Sequence, residues 1–211
     1  MNLYERLLAV RKKRGAGFLV LIDPDKGTPE AHVAFARLCA GNGADGLLVG
    51  GSLLFSARFD QFIEELKKAV RIPVILFPGG SRQLSGHADG MLFISLISGR
   101  NPHYLIGEQV LAAPLVRALK LEAIPTGYLL VESGNTTSVA FMSHSQPLPR
   151  EKAEIAVAHA LAAEYLGMRM VYLEAGSGAL HPVPDEMVLA VRKNVSIPVI
   201  VGGGLRDPET A

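Results

Sequence analysis

Glu174 closes the apolar run Met170-Val171-Tyr172-Leu173, and a glycine-rich turn, Ala175-Gly176-Ser177-Gly178-Ala179, follows it directly. A turn of that composition after a strand leaves several backbone N–H groups convergent and unpaired, which suits a phosphate. The carboxylate beside it is a candidate general base. Its plainer role would be to cap the turn, but an acidic residue ending an apolar strand is costly unless it is used or paired. The pattern returns in Pro198-Val199-Ile200-Val201-Gly202-Gly203-Gly204. Two such loops imply one phosphate gripped from two sides, with Arg206 as either a further contact or a solvated helix-start residue.

A second group of chemistry-bearing residues lies near the amino terminus. Asp23-Pro24-Asp25-Lys26 places two carboxylates on a rigid turn. Oxygen donors of this kind suit Mg²⁺, which keeps several waters and is commonly shared with substrate phosphates; the alternative is an Asx-type turn capping the next helix. Gly50-Gly51-Ser52 ends the next apolar run, where the Ser52 hydroxyl or the loop N–H groups would reach the same phosphates. The six histidines, His32, His87, His103, His144, His159 and His181, show no metal-ligand spacing and read as surface or packing residues. Cys39 reads as a small core hydrophobe, and no nucleophile-elbow or P-loop pattern occurs.

The elements that must position these residues repeat one grammar: a short apolar strand, a glycine or polar loop, an amphipathic helix. After a helix over residues 2–14, strands are expected at 17–22, 46–49, 73–77, 90–96, 123–131, 170–174 and 197–201. Continuous apolar runs such as 17–22 mark strands covered on both faces. Helices are expected at 28–40, 58–70, 103–120, 151–166 and 185–194, with residues 206–209 opening one more. Residues 81–89 leave no room for a full helix between the third and fourth strands. Residues 132–149 form the longest irregular stretch, and long loops in compact domains are usually functional or interfacial.

Strands spaced by roughly twenty to forty residues, with the loop chemistry at their carboxyl ends, predict a TIM (β/α)₈ barrel in a single domain over residues 1–211. The eighth strand is absent from this chain. Because an open barrel leaves unpaired edges, the chain is expected to continue into a short helix, a strand and a final phosphate loop. An open doubly wound sheet is the alternative, but it does not account for polar loops after every strand.

Composition narrows the function classes. With 211 residues, 49% hydrophobic and 19% charged, the chain has ample material for a core. A net charge of +1 gives no basic field for nucleic acid, so an anionic ligand must be held locally. The single cysteine precludes an internal disulfide, the apolar runs are too short to span a bilayer, and Glu5 and Arg6 interrupt any signal-peptide core. A reducing, cytoplasmic setting is expected. The region 105–130, rich in Leu, Ile, Val and Ala, reads as core or as the lining of a groove for a long hydrocarbon, with Tyr128 near its polar end. The apolar residues of 104–119, with Val139, Phe141 and Met142, favour a homo-oligomer.

Taken together, Asp23-Pro24-Asp25-Lys26, Val49-Gly50-Gly51-Ser52, Leu76-Phe77-Pro78-Gly79, Ser98-Gly99-Arg100-Asn101-Pro102, Pro125-Thr126-Gly127-Tyr128, Tyr172 to Gly178 and Val201-Gly202-Gly203-Gly204 resemble the geranylgeranylglyceryl phosphate synthase family with its PcrB-like relatives. The match runs in order along nearly the whole chain, and Tyr172-Leu173-Glu174-Ala175-Gly176-Ser177-Gly178 is its most specific part. The resemblance implies a Mg²⁺-dependent prenyltransferase that joins the C3 hydroxyl of sn-glycerol 1-phosphate to a polyprenyl diphosphate, geranylgeranyl in the family name. By the same resemblance Asp23 and Ser52 hold Mg²⁺, and Tyr172, Leu173, Glu174, Ala175, Gly176, Ser177, Gly178, Gly202, Gly203 and Gly204 hold the glycerol phosphate. Glu174 is then the base, and Asp25, Gly51 and Tyr128 are candidate contacts for the prenyl diphosphate. The family's Gly-Asn pair after the eighth strand has no counterpart in this chain. An amphiphilic product further implies transient contact with a membrane surface. Two other readings stay open: a phosphate-binding isomerase or lyase of sugar-phosphate or amino-acid precursor metabolism, and a noncatalytic phosphate sensor.

Overall fold

A computed structural model describes residues 1–207. The chain divides into two compact units, residues 1–93 with 110–124, and residues 94–109 with 125–211. The seven strands run in sequence order along one sheet, and the alternation of parallel strands with helices is that of the (β/α) barrel class.

In the first unit, α1 (Leu3–Arg14) opens on a capping box in which Asn2 and Glu5 exchange side-chain and backbone bonds. Its first two N–H groups, at Leu3 and Tyr4, also donate to the Glu122 carboxylate at 2.5 and 2.9 Å. The strands β1 (Leu19–Ile22), β2 (Gly46–Val49), β3 (Val74–Leu76) and β4 (Gly90–Ser95) pair in parallel, Val20 opposite Leu47, Leu48 opposite Ile75, Leu76 opposite Met91. Helix α2 (Pro29–Gly41) starts on a Thr28 hydroxyl cap with proline in its first turn. In α3 (Phe59–Ala69) the residues Phe59, Phe62, Ile63 and Leu66 follow helical spacing, and all four are buried. Each contributes about 1.5–3 kcal/mol by burial, as an upper estimate. They pack with Leu47, Val49, Val74 and Leu76 into one core, against which Cys39 is partly buried.

Carboxylates at the amino ends of these strands do structural work. Asp45 accepts the Phe18 N–H at 2.8 Å and pairs with Arg14 at 2.8 Å, fixing where β1 begins. Asp89 accepts the Val74 N–H at 2.7 Å and binds Lys67. The expectation that residues 17–22 are covered on both faces is not met. Strand β1 is shorter and Leu21 is 44% exposed, because among the described residues β1 has a partner on one side only, at the end of the sheet order. Residues 81–89 form turns and no helix, as their length requires.

In the second unit β5 (Ala123–Leu130), β6 (Met170–Glu174) and β7 (Val199–Gly202) pair in parallel, with Tyr128 opposite Tyr172 and Glu174 opposite Gly202. Helix α6 (Ala153–Tyr165) buries Ala156, Ala160 and Ala163, small side chains that admit close helix-to-sheet approach, and α7 (Asp185–Asn194) buries Met187 and Val191. The helix expected at 103–120 begins in this unit as a π-helical turn, His103–Gly107, and continues as α4 (Glu108–Ala118), which from Val110 on belongs to the first unit and has Pro114 in its interior. The stretch 132–149 is not wholly irregular: α5 (Ser138–Ser143) lies within it, capped by the Thr137 hydroxyl. Its base is closed where Glu132 N–H donates to Leu148 at 2.9 Å and Leu148 N–H to Leu130 at 2.8 Å. The expected helix start at 206–209 falls largely outside the described residues.

Candidate active site

Strand β6 delivers Glu174 into the interior with its carboxylate satisfied locally. The residue is 5% exposed, its Oε1 accepts the Gly176 N–H at 2.6 Å, and the Tyr172 hydroxyl donates to it. Burial pushes its pKa up, while the bonds from Gly176 and Tyr172 pull the other way without cancelling the rise. A carboxylate poised so accepts a proton more readily than an exposed glutamate, which is what a general base near neutral pH requires.

Tyr128 and Tyr172 stand beside it with ring centroids 5.7 Å apart. Both phenols are held well above the usual tyrosine range, first by burial and then by the Glu174 charge. Both stay protonated, and the Tyr172 hydroxyl donates to Glu174. The triple glycine after β7 has a steric reason visible here: a side chain at Gly202 would overlap the Tyr172 hydroxyl, and one at Gly203, where φ is +79°, would overlap Glu174 Oε1. Gly202 also accepts the Ala175 N–H at 2.9 Å, which joins the two glycine loops side by side.

The turn itself is closed by Ala179 N–H to Gly176 at 3.1 Å and is exposed at Ser177 and Gly178, with open space beside Gly178. Leu173 and Ala175 are fully buried and take part through their backbone. Three residues that the sequence reading passed over or left open support this turn. Thr137, at the start of α5, fills the space next to Gly176; Asn135 donates to the Gly178 carbonyl at 3.2 Å; Arg206 donates to the Ala179 carbonyl at 2.8 Å. Arg206 thus brings a guanidinium against the turn. A hollow of about 580 Å³ opens next to it, lined by Glu132, Asn135, Phe141, His144 and Gln146 among others.

In the first unit, the end of β1 forms a turn in which Asp23 Oδ1 accepts the Asp25 N–H at 3.1 Å and Oδ2 pairs with Lys26 at 3.2 Å. Asp25 faces away from that pair of contacts in function: its two oxygens accept the N–H groups of Phe55 and Ser56 at 2.8 and 3.0 Å, so it anchors the loop after β2. The backbones of Gly50-Gly51 and Phe77-Pro78-Gly79 pass in direct contact, since a Cβ at Gly50 would overlap the Phe77 carbonyl and one at Gly79 the Gly51 carbonyl. Gly51 gives its N–H to Gln83, a residue with no signal in the sequence.

Among the described residues there is no group of three or more His, Cys, Asp or Glu positioned as metal ligands. The Asp23 carboxylate does lie against Gly51, where a Cβ would stand 3.4 Å from Oδ1, next to Ser52 in the chain. One carboxylate and one hydroxyl suit an ion that retains water and completes its shell with phosphate oxygens, so the residues fit Mg²⁺. The histidines are structural where their contacts are seen. Buried His32 sets Nε2 2.6 Å from the Lys26 carbonyl and packs edge-on to Phe62, and His159 and His103 bond within or beside their own helices.

Known proteins match this chain over nearly its whole length. A geranylgeranylglyceryl phosphate synthase from Korarchaeum cryptofilum is 47% identical over 209 residues, covering 99% of this chain and 84% of its own. The wild-type enzyme of that kind from Thermoplasma volcanium superposes with a TM-score of 0.94 at 35% identity, covering 100% of this chain and 84% of that one. The (S)-3-O-geranylgeranylglyceryl phosphate synthase from Thermoplasma acidophilum, solved in complex with its substrate sn-glycerol-1-phosphate, gives 0.93 at 37% identity, covering 99% and 84%. Residues 8–211, which include both glycine loops, Glu174 and the Asp23 turn, match a single family description. On sequence and fold together, the chain belongs to the PcrB family.

Proposed function

We propose that this protein is a prenyltransferase that forms an ether between the C3 hydroxyl of sn-glycerol 1-phosphate and C1 of geranylgeranyl diphosphate, releasing diphosphate. The observation that carries the reading is the buried Glu174 carboxylate, raised in pKa and hydrogen-bonded by Gly176 and Tyr172 at the head of two joined glycine loops. The relative solved with sn-glycerol-1-phosphate supports the acceptor, and the relatives' name supports the donor.

The chemistry follows from the groups present. An alcohol is a weak nucleophile, so Glu174 takes the C3 hydroxyl proton as the oxygen attacks C1 of the allylic donor. The C1–O bond to diphosphate breaks with its electron pair going to the leaving group. The exposed turn at Ser177-Gly178 and the Gly202 to Gly204 loop offer N–H groups to the acceptor's phosphate, and Arg206 adds positive charge beside the turn. Tyr172 holds the carboxylate in one orientation and Tyr128 packs against it. Asp23 and Ser52 are the residues that would hold Mg²⁺, which when bound neutralises charge on the departing diphosphate.

The apolar donor and product favour passing contact with a membrane surface, although no helix among the described residues is long and apolar enough to cross one. A cytoplasmic homo-oligomer is the proposed working form; Val110, Leu111 and Leu115 on α4 are 63, 64 and 47% exposed and offer an apolar contact. The isomerase or lyase reading draws less support, since Lys26, the lysine at the end of β1, is ion-paired with Asp23. Incubation with Mg²⁺, sn-glycerol 1-phosphate and labelled prenyl diphosphates of several lengths should yield an ether-linked prenylglyceryl phosphate. Absence of product at every length would reject the proposal.

A further inference from the structure

The loop that carries Ser52 is held at both ends by side chains from other segments. At its start, Gln83 accepts the N–H groups of Gly51 and Gly79 on Oε1 at 3.2 and 3.3 Å, and its Nε2 donates to the Gly51 carbonyl at 2.7 Å. At its far end, Asp25 accepts the N–H groups of Phe55 and Ser56. Residues 52–54 span the interval between these anchors.

Gln83 is 3% exposed, and its burial identifies what the position requires. A side-chain amide offers an acceptor and a donor from one rigid planar group, which matches the N–H and C=O of a single residue. Glutamate would keep the acceptor, lose the donor and set a charge against the Gly51 carbonyl. Leucine would fill the space and leave three backbone groups without their partner in a buried place. The placement follows from the missing helix. The direct β3 to β4 connection turns at Gly80, where the Gln83 N–H donates to the Gly80 carbonyl at 3.1 Å, and this sends the side chain under the loop after β2.

We infer that Gln83 is a positioning residue of the donor half of the site: by fixing Gly51 it sets where the Ser52 hydroxyl stands, and so controls affinity for the diphosphate without touching it. The inference rests on the reading that Ser52, with Asp23, would hold the Mg²⁺ that serves the donor's diphosphate. It also implies that the Gly51 N–H, already given to Gln83, is not a group that binds the donor, and that Ser52 acts there with Asp23 through the ion they would hold.

The test uses the full chain and four variants, Gln83→Leu, Gln83→Glu, Ser52→Ala and the double variant Ser52→Ala with Gln83→Leu. Calorimetry reads binding of inorganic diphosphate with Mg²⁺ and, separately, of sn-glycerol 1-phosphate; steady-state kinetics read KM for geranylgeranyl diphosphate. Gln83→Leu should weaken diphosphate binding and raise the donor KM by about tenfold, the scale of one or two lost buried hydrogen bonds. Glycerol phosphate affinity should stay within about twofold. On the Ser52→Ala background the same change should add less than about twofold, because the effect runs through Ser52. If Gln83→Leu does not fold, Gln83→Glu, which keeps size and acceptor, should still shift diphosphate affinity alone. Unchanged diphosphate binding, equal loss for both ligands, or the full effect persisting without the Ser52 hydroxyl would overturn the inference. A wild-type chain that binds diphosphate normally yet forms no ether would reject the proposed reaction and leave the Gln83 result to stand by its own binding data.

Discussion

Gly203 lies directly beneath Glu174, so close that a methyl group on its Cα would fall on Oε1 of the carboxylate. The same methyl would also crowd the N–H groups of Gly176 and Ala175, at 2.6 and 3.0 Å, in a backbone already at φ +79°. Gly203→Ala is therefore expected to displace the carboxylate and to cost about 1–3 kcal/mol of stability through backbone strain. Turnover should fall with the melting temperature still measurable. Wild-type turnover in this variant would show that Glu174 is not held where its chemistry depends on it.

Glu174→Gln keeps the shape and the ability to accept from Gly176 but cannot take a proton. It should lower turnover by at least ~10²-fold, the scale of general-base catalysis. Calorimetric affinity for sn-glycerol 1-phosphate should hardly change. Near-normal turnover would remove Glu174 from the mechanism.

The base works deprotonated, so activity should fall as pH drops through its pKa. Burial raises that pKa, and the acid limb of kcat/KM should accordingly lie above the ordinary glutamate value of about 4.3. The stability linkage has the matching sign: the folded state favours the protonated acid, an advantage complete below the unfolded pKa and lost as pH rises through the folded one. Tyr172→Phe deletes a hydrogen bond that lowers the Glu174 pKa, so its acid limb should move to still higher pH. A limb that stays put or moves down would exclude the phenol as the partner that matters.

Asp23→Asn removes the negative charge next to Gly51 and Lys26. The Mg²⁺ concentration needed for half-maximal rate should rise by an order of magnitude or more, as befits loss of one carboxylate from a sparsely liganded ion. An unchanged metal titration would place the ion elsewhere.

Strands β2 and β6 and helix α7 have the boundaries that their sequences indicate, because glycine, glutamate and aspartate mark their ends. The missing helix between β3 and β4 was readable from length alone. What could not be read depends on contacts distant along the chain. Leu21 looks like core in sequence and is exposed because, among the described residues, β1 has one neighbour in the sheet. Helix α5 is six residues long, too short for periodicity to register, yet its cap Thr137 buttresses Gly176. The π-helical turn at His103–Gly107 shares the composition of an ordinary helix. That both Asp25 oxygens accept N–H groups thirty residues onward in the chain, at Phe55 and Ser56, has no sign in the Asp23-Pro24-Asp25 turn itself. Gln83 carries no motif, and only its partners reveal it. Of the candidate site, Glu174 and the two glycine loops were legible because each is a local chemical pattern.

The two anchors of the Ser52 loop also set a rule for engineering. A designer who moves residues 50–56 into another barrel, hoping to export this chain's donor preference, would separate the loop from the side chains that shape it. The transplantable module is discontinuous: residues 50–56 together with positions 25 and 83, which lie on either side of it in the chain and close its two ends. Grafts lacking both outlying positions should behave like loop deletions, whatever sequence they carry.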